Sequence, residues 1–134
     1  MWIKIAVLAV LIGHGLGHVM APQAAFVPPG TFPRQAHAII GSDLTIVSSA
    51  GKGLALLWLV PLAGFLFGTY GLWTGQDWWR PVLAGASIAS IMSVLPWWGV
   101  MPTFSYLGAI AVDIAILVGI LTPWGDQIAK IVGR

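Results

Sequence analysis

The amino-acid sequence predicts an all-α fold, a polytopic membrane four-helix bundle with a long outer loop between its first and second helices. Three observations carry that expectation. Of 134 residues 58% are hydrophobic and only 7% charged, Glu is absent, and the mean hydropathy is +0.92; a soluble domain has roughly a quarter of its residues charged. Four apolar stretches approach the ~20 residues needed to cross a bilayer core. The joints between the last three stretches are short, which makes consecutive helices antiparallel neighbours. The chain is expected to form one transmembrane domain over residues 1–134.

The first span covers about residues 3–20 and holds the run Gly13-His14-Gly15-Leu16-Gly17-His18, two histidines one helical turn apart in an otherwise apolar helix. A secretory signal peptide is the less suitable reading. Its positive region would be the single Lys4, Pro22 would follow Ala21 at the cleavage point, and paired histidines serve no purpose there. Gly13 and Gly17 form a small-xxx-small pair, which lets a neighbouring backbone approach closely.

The connection from about Ala21 to Lys52 is much longer than the other two, and loops of that length usually carry a function or structure of their own. Pro22, Pro28, Pro29 and Pro33 argue against a regular helix in its front half. A short helix is expected over about residues 34–40, with Asp43 and the pair Ser48-Ser49 as candidate N-caps.

The second span, about residues 53–73, contains Trp58, Pro61 and a second glycine pair, Gly64 and Gly68. Pro61 removes one backbone hydrogen bond and is expected to kink the helix near Leu57. The third span, about 81–98, carries Ser87, Ser90 and Ser93 at three-residue spacing, suited to bonding their own backbone or a neighbouring helix. The fourth, about 104–122, contains an acid at membrane depth, Asp113.

Indole rings favour the headgroup layer. Trp73, Trp78, Trp79 and Trp124 therefore mark one interface and Trp97 with Trp98 the other, while Trp58 lies deeper, as a packing or pocket residue. Lys4, Arg80, Lys130 and Arg134 fall on the side of both termini, against Arg34 and Lys52 opposite. The positive-inside rule then puts both termini in the cytoplasm, and the expected location is a prokaryotic cytoplasmic (inner) membrane.

Several function classes are excluded. Without cysteine there is no disulfide, thiolate metal site or cysteine nucleophile. Six scattered Lys and Arg give a net charge of +2 but no nucleic-acid surface. No internal repeat or nucleophile elbow is present, and four spans without repeats make a small transport pathway unless the protein oligomerises.

What remains rests on His14, His18 and Asp113. Counted at about 1.5 Å per residue, His14 lies roughly 10 Å and Asp113 roughly 14 Å below the outer ends of their spans, so the two can meet. An unpaired carboxylate in hydrocarbon would be very unfavourable, and Ser90, midway along the third span, is a second contact for it. His18, one turn nearer the outer surface, is expected to contact water or the first loop. Three roles are open for the histidines. They are buried polar staples; or metal, haem or chlorin ligands at i, i+4 spacing, with only Asp113 or His37 as a third ligand; or, through His14 with Asp113, a proton relay or a hydrogen-bonding site for a quinone or lipid headgroup.

The run Gly13-His14-Gly15-Leu16-Gly17-His18, followed by Gly53-Leu54-Ala55-Leu56-Leu57-Trp58-Leu59, resembles an uncharacterised family of small four-span bacterial membrane proteins. Their first helix carries a His-Gly-Leu-x-His motif and their second opens on Gly-Leu-Leu-Trp-Leu. Trp78-Trp79-Arg80 and Gly108-Ala109-Ile110-Ala111 fit the same pattern. More remotely, the arrangement is similar to the DoxX superfamily, which implies a membrane subunit linked to quinone-dependent sulfur oxidation or thiol stress; a chain without cysteine carries no thiol chemistry of its own.

The expected role is noncatalytic: an accessory or small-molecule-binding membrane protein whose outward-facing polar pocket is built from His14, His18, Asp113 and the first loop, with Ser90 and Trp58 as further pocket residues. The alternatives are a quinone-linked redox subunit and a haem- or chlorin-ligating subunit. The expected partners are the bilayer, subunits of a membrane complex or a second copy of the chain.

Overall fold

Two long apolar helices open the chain, and each is broken once. The computed structural model describes residues 2–27, 37–40, 43–98, 100 and 103–133. In it α1 (Trp2–Gly17) is joined to α2 (Met20–Phe26) through His18 and Val19. Across that joint the backbone tightens to three-residue spacing, with His18 N donating to Gly15 O and Val19 N to Leu16 O, both at 3.1 Å. The break makes Pro22 a first-turn residue of α2, where a missing N–H costs no intrahelical bond. Helix therefore continues to Phe26, past the point where the prolines were expected to end it.

The second long helix starts earlier than expected. Ser48 caps α3 (Ser49–Leu57), its hydroxyl accepting from Gly51 N at 3.1 Å and donating to Thr45 O at 2.7 Å. Asp43 caps nothing; it lies in a turn. The helix breaks at Trp58 and resumes as α4 (Leu59–Thr74). Pro61 explains the break, since it offers no N–H to the carbonyl of Leu57. Gly75, at φ 71°, closes α4 in the left-handed conformation that glycine adopts without penalty.

Of the helix expected over residues 34–40, the described part is not helical. His37 pairs with Thr45 in an isolated antiparallel bridge, and Ile39 and Ile40 form a turn. Residues 34–36 lie outside the described residues, as do Pro28, Pro29, Pro33, Gly99, Met101, Pro102 and Arg134.

The rest of the chain is α5 (Trp79–Val94), a 3-10 turn (Leu95–Trp97), α6 (Thr103–Leu121) and α7 (Trp124–Val132). Asp126 in the first turn of α7 and Lys130 in its last complement the helix dipole. Arg80 at the start of α5 reaches Asp126 at 2.5 Å.

The protein is thus all-helical, and Trp2–Phe26, Ser49–Thr74 and Phe104–Leu121 are long and apolar enough to cross a membrane. The 16 residues of α5 extend about 24 Å, less than the ~30 Å hydrocarbon core unless the 3-10 turn is added.

Packing runs from α1 to α4, α4 to α5 and α5 to α6, with α7 against α6, α1 and α4. The seam between α4 and α5 is set by the second glycine pair. A Cβ on Gly64 would stand 2.8 Å from that of Ala86, and one on Gly68 would strike Leu83. The first pair behaves otherwise. A Cβ on Gly13 or Gly17 meets nothing within 4 Å, and the glycine that lets α4 close on α1 is Gly15, beside Phe65.

Two apolar clusters fill the ends of the molecule. One gathers Ala21, Ile46, Trp58, Val94, Trp97 and Tyr106; the other gathers Leu11, Phe65, Leu72, Leu83, Ile120 and Val132. Between them His18, Ser90 and Asp113 are buried. Large apolar side chains such as Ile12, Leu16, Phe67, Ile88, Ile114 and Val118 are exposed outside. Polar groups inside and apolar groups outside suit a hydrocarbon surrounding.

Candidate functional site

The polar layer is a single hydrogen-bonded chain drawn from three helices. His14 Nε2 on α1 lies 2.9 Å from Asp113 Oδ1 on α6. Asp113 Oδ2 lies 2.5 Å from Ser90 Oγ on α5, and Ser90 Oγ lies 2.9 Å from His18 Nε2. His18 Nδ1 then returns to the carbonyl of His14 at 3.1 Å, which closes a ring. Asp113 is fully buried and each of its carboxyl oxygens has a hydrogen-bond partner, as a carboxyl group at this depth requires.

Aromatic rings hold the imidazoles in place. Phe65 stands edge-on to His14 with centroids 4.9 Å apart and lies 5.9 Å from His18. Trp58 lies 5.7 Å from His18, and its Nε1 donates to Ser93 O at 2.9 Å. The helix break at Trp58 lets this indole sit across the end of the histidine pair. Phe65, which no sequence motif marks, is among the described residues the one aromatic ring beside both histidines.

His18 departs from its expected place. It is 3% exposed, bonded to Ser90 and packed against Trp58 and Phe65, rather than turned to water or the first loop. The three-residue backbone spacing at Gly15 and Leu16 rotates it inward. His37 is exposed and pairs with Thr45, away from the layer. Of the three serines, Ser90 joins the chain and Ser93 donates to Ser90 O, whereas Ser87 Oγ is buried without a partner among the described residues.

Helices α1 and α6 do not pack closely; His14 and Asp113 bridge a cleft between them. Above the bridge is a cavity of about 240 Å³ lined by Gly13, His14, Gly17, His18, Trp58 and Gly108, among others. Its small residues leave the room that side chains would fill. No described residue of the 27–48 connection lines it. Below the bridge a larger cavity of about 350 Å³ has apolar walls, with Leu11 and Ile116 among its lining residues. Val112 belongs to both. Of these two, the smaller is the one in which imidazole side chains, those of His14 and His18, meet open space.

A metal ion finds little here. The rings of His14 and His18 stand T-shaped at 86° with centroids 5.4 Å apart, and their Nε2 atoms go to different partners. Among the described residues no group of three His, Cys, Asp or Glu is disposed to hold a metal. Axial ligation of haem or a chlorin through Nε2 would break a bond to Asp113 or Ser90. His14 Nδ1 is the one imidazole nitrogen of the pair without a hydrogen bond among the described residues.

Comparison of the chain with protein-family models, with curated proteins and with solved structures gave no match.

Proposed function

We propose that this is a noncatalytic integral membrane protein that binds a small amphiphile in the cleft between α1 and α6, with the head of the ligand beside His14. The observation that carries the reading is the position of the hydrogen-bonded ring of His14, Asp113, Ser90 and His18. Its two imidazoles, His14 and His18, line a cavity together with Gly13, Gly17 and Gly108 instead of being packed over on all sides, while Asp113 and Ser90 are fully buried beside them. A purely structural staple gains nothing from open space above it, since unfilled volume costs contact energy. A quinone, phenol or lipid-like molecule fits the combination of one polar patch and apolar walls.

In this reading α5 and its 3-10 turn form a fourth span, over Trp79–Trp97, and complete the bundle. Lys4, Arg80 and Lys130 gather at the end where α7 packs on α1 and α4, and Lys52 lies at the other. That distribution favours cytoplasmic termini and an outward-facing cavity. The setting proposed with it is a quinone-linked complex, on the resemblance of the sequence motifs to DoxX-type subunits alone.

The test is a stability screen of the detergent-purified protein against short-chain quinones, alkylphenols and phospholipids, with mass spectrometry of its organic extract. Saturable stabilisation by one class, and recovery of an amphiphile of that class, is expected. An unchanged melting temperature with every class would leave the ring as a staple and overturn the reading.

A further inference from the structure

We infer that the cavity selects a ligand with a hydroxyl donor, a phenol or quinol rather than a head that offers only carbonyl oxygens. The buried ring fixes His14 Nδ1 as a bare acceptor. This rests on the reading of the cavity as a ligand site and adds the chemical class of its ligand.

The protons of the ring can be counted. Four hydrogen bonds join the ring: His14 Nε2 to Asp113 Oδ1, Asp113 Oδ2 to Ser90 Oγ, Ser90 Oγ to His18 Nε2, and His18 Nδ1 to His14 O. Each needs one proton. Two neutral imidazoles, one hydroxyl and one carboxylic acid carry four between them. The last bond settles one position, because a backbone carbonyl only accepts and His18 Nδ1 must therefore donate.

Two arrangements then satisfy all four bonds. In one the Asp113 carboxylic acid donates to Ser90, and the Ser90 hydroxyl donates to a neutral His18. In the other the acid proton has passed along the chain: the Asp113 O–H bond is broken, Ser90 has accepted that proton and released its own, and an N–H bond has formed at His18 Nε2. Asp113 is then a carboxylate, His18 an imidazolium and Ser90 again a hydroxyl, so the two forms differ by one proton displacement and share the same net charge.

In both forms the proton of His14 sits on Nε2 and Nδ1 is bare. A fifth proton on Nδ1 would leave the buried layer with an unbalanced positive charge, which burial strongly disfavours. No other acid balances it. Asp43, Asp77 and Asp126 are all exposed, and Asp126 is held by Arg80.

His14 keeps about a tenth of its side-chain surface, where Asp113 keeps none, and it lines the cavity. Both nitrogens of His18, the other imidazole on the wall, are already engaged. Among the described residues the cavity-lining hydroxyl of α6 is Ser105, eight residues from Asp113, or about 12 Å along the helix, too far to serve a head bound at His14; Tyr106 is buried in the neighbouring apolar cluster, outside the lining. A hydroxyl that donates to Nδ1 gains a bond there; a carbonyl oxygen meets a lone pair.

The test compares 4-nonylphenol with 4-nonylanisole, its methyl ether, on the full-length protein in detergent. The tails are equal; the ether lacks the donor and carries one methyl group more. The phenol is expected to bind saturably and at least about tenfold more tightly than the ether, the size of effect that one hydrogen bond produces. Equal binding, or tighter binding of the ether, would overturn the acceptor assignment and leave the cavity reading in place. Binding of neither would overturn both. Nitrogen-15 NMR of the unsubstituted protein checks the same point without a ligand: His14 is expected as the Nε2–H tautomer, and a proton on Nδ1 would contradict the count.

Discussion

His14 Nε2 and Asp113 Oδ1 stand 2.9 Å apart although 99 positions separate them in the chain. The bond spans a cleft that the helix backbones leave open, so α1 and α6 are joined at this level by chemistry more than by close packing. If that is so, the two residues act as one unit. The single changes His14→Ala and Asp113→Asn are each expected to destabilise by about 1–3 kcal/mol if the pair is neutral, and about 3–5 kcal/mol if it is charged. The double mutant should fall well short of their sum, by more than about 0.5 kcal/mol. Chemical denaturation in a mild detergent gives all three values; additivity would mean no coupling.

Depth alone would rank His18 as the less critical histidine. The structure reverses the order, since His18 has both nitrogens bonded and its ring enclosed by Trp58 and Phe65. Replacing it by Ala leaves a void and removes one of the two hydrogen bonds of the Ser90 hydroxyl, a loss of about 2–5 kcal/mol and at least equal to that of His14→Ala. A smaller loss than for His14→Ala, measured by the same unfolding curves, would contradict this placement.

The part of this architecture that was legible in the sequence followed from strong local physics. An acid in an apolar span needs a partner, and depth matching finds His14; Ser48 is a capping residue before an apolar run; Pro61 cannot complete the helix at Leu57. Other features depend on azimuth and on neighbours, which spacing does not encode. His18 turns inward because the backbone tightens at Gly15 and Leu16, a detail without a sequence signature. Pro22 is tolerated because that same break makes it a first-turn residue. The pairs Gly13 with Gly17 and Gly64 with Gly68 have identical spacing and opposite surroundings: one opens on the cavity, the other closes on α5.

That difference between the glycine pairs is measurable. Gly13→Ala meets no atom within 4 Å and should be neutral or stabilising by up to about 1 kcal/mol, through helix propensity alone. Gly64→Val, crowded against Ala86, should destabilise by about 1–3 kcal/mol. Equal effects at the two sites in thermal unfolding would show that the cleft beside Gly13 is closed in the membrane.

The proposed orientation is tested with the cysteine-free chain. Single cysteines at Ile40 and Gln127, both exposed, should react differently with an impermeant maleimide on intact cells. Labelling at position 40 and not at 127 is expected; the reverse pattern would invert the topology.

The most direct measurement of the central claim, that the glycine-lined cavity is a ligand site, is binding of 4-nonylphenol to Gly108→Leu and Gly85→Leu. Gly108 lines the cavity, Gly85 is exposed on α5, and neither has an atom within 4 Å of an added Cβ. Leucine at position 108 should fill the cavity and abolish binding, with a melting temperature close to that of the unsubstituted protein, and leucine at position 85 should leave binding intact. Undiminished binding to a folded Gly108→Leu protein would contradict the account.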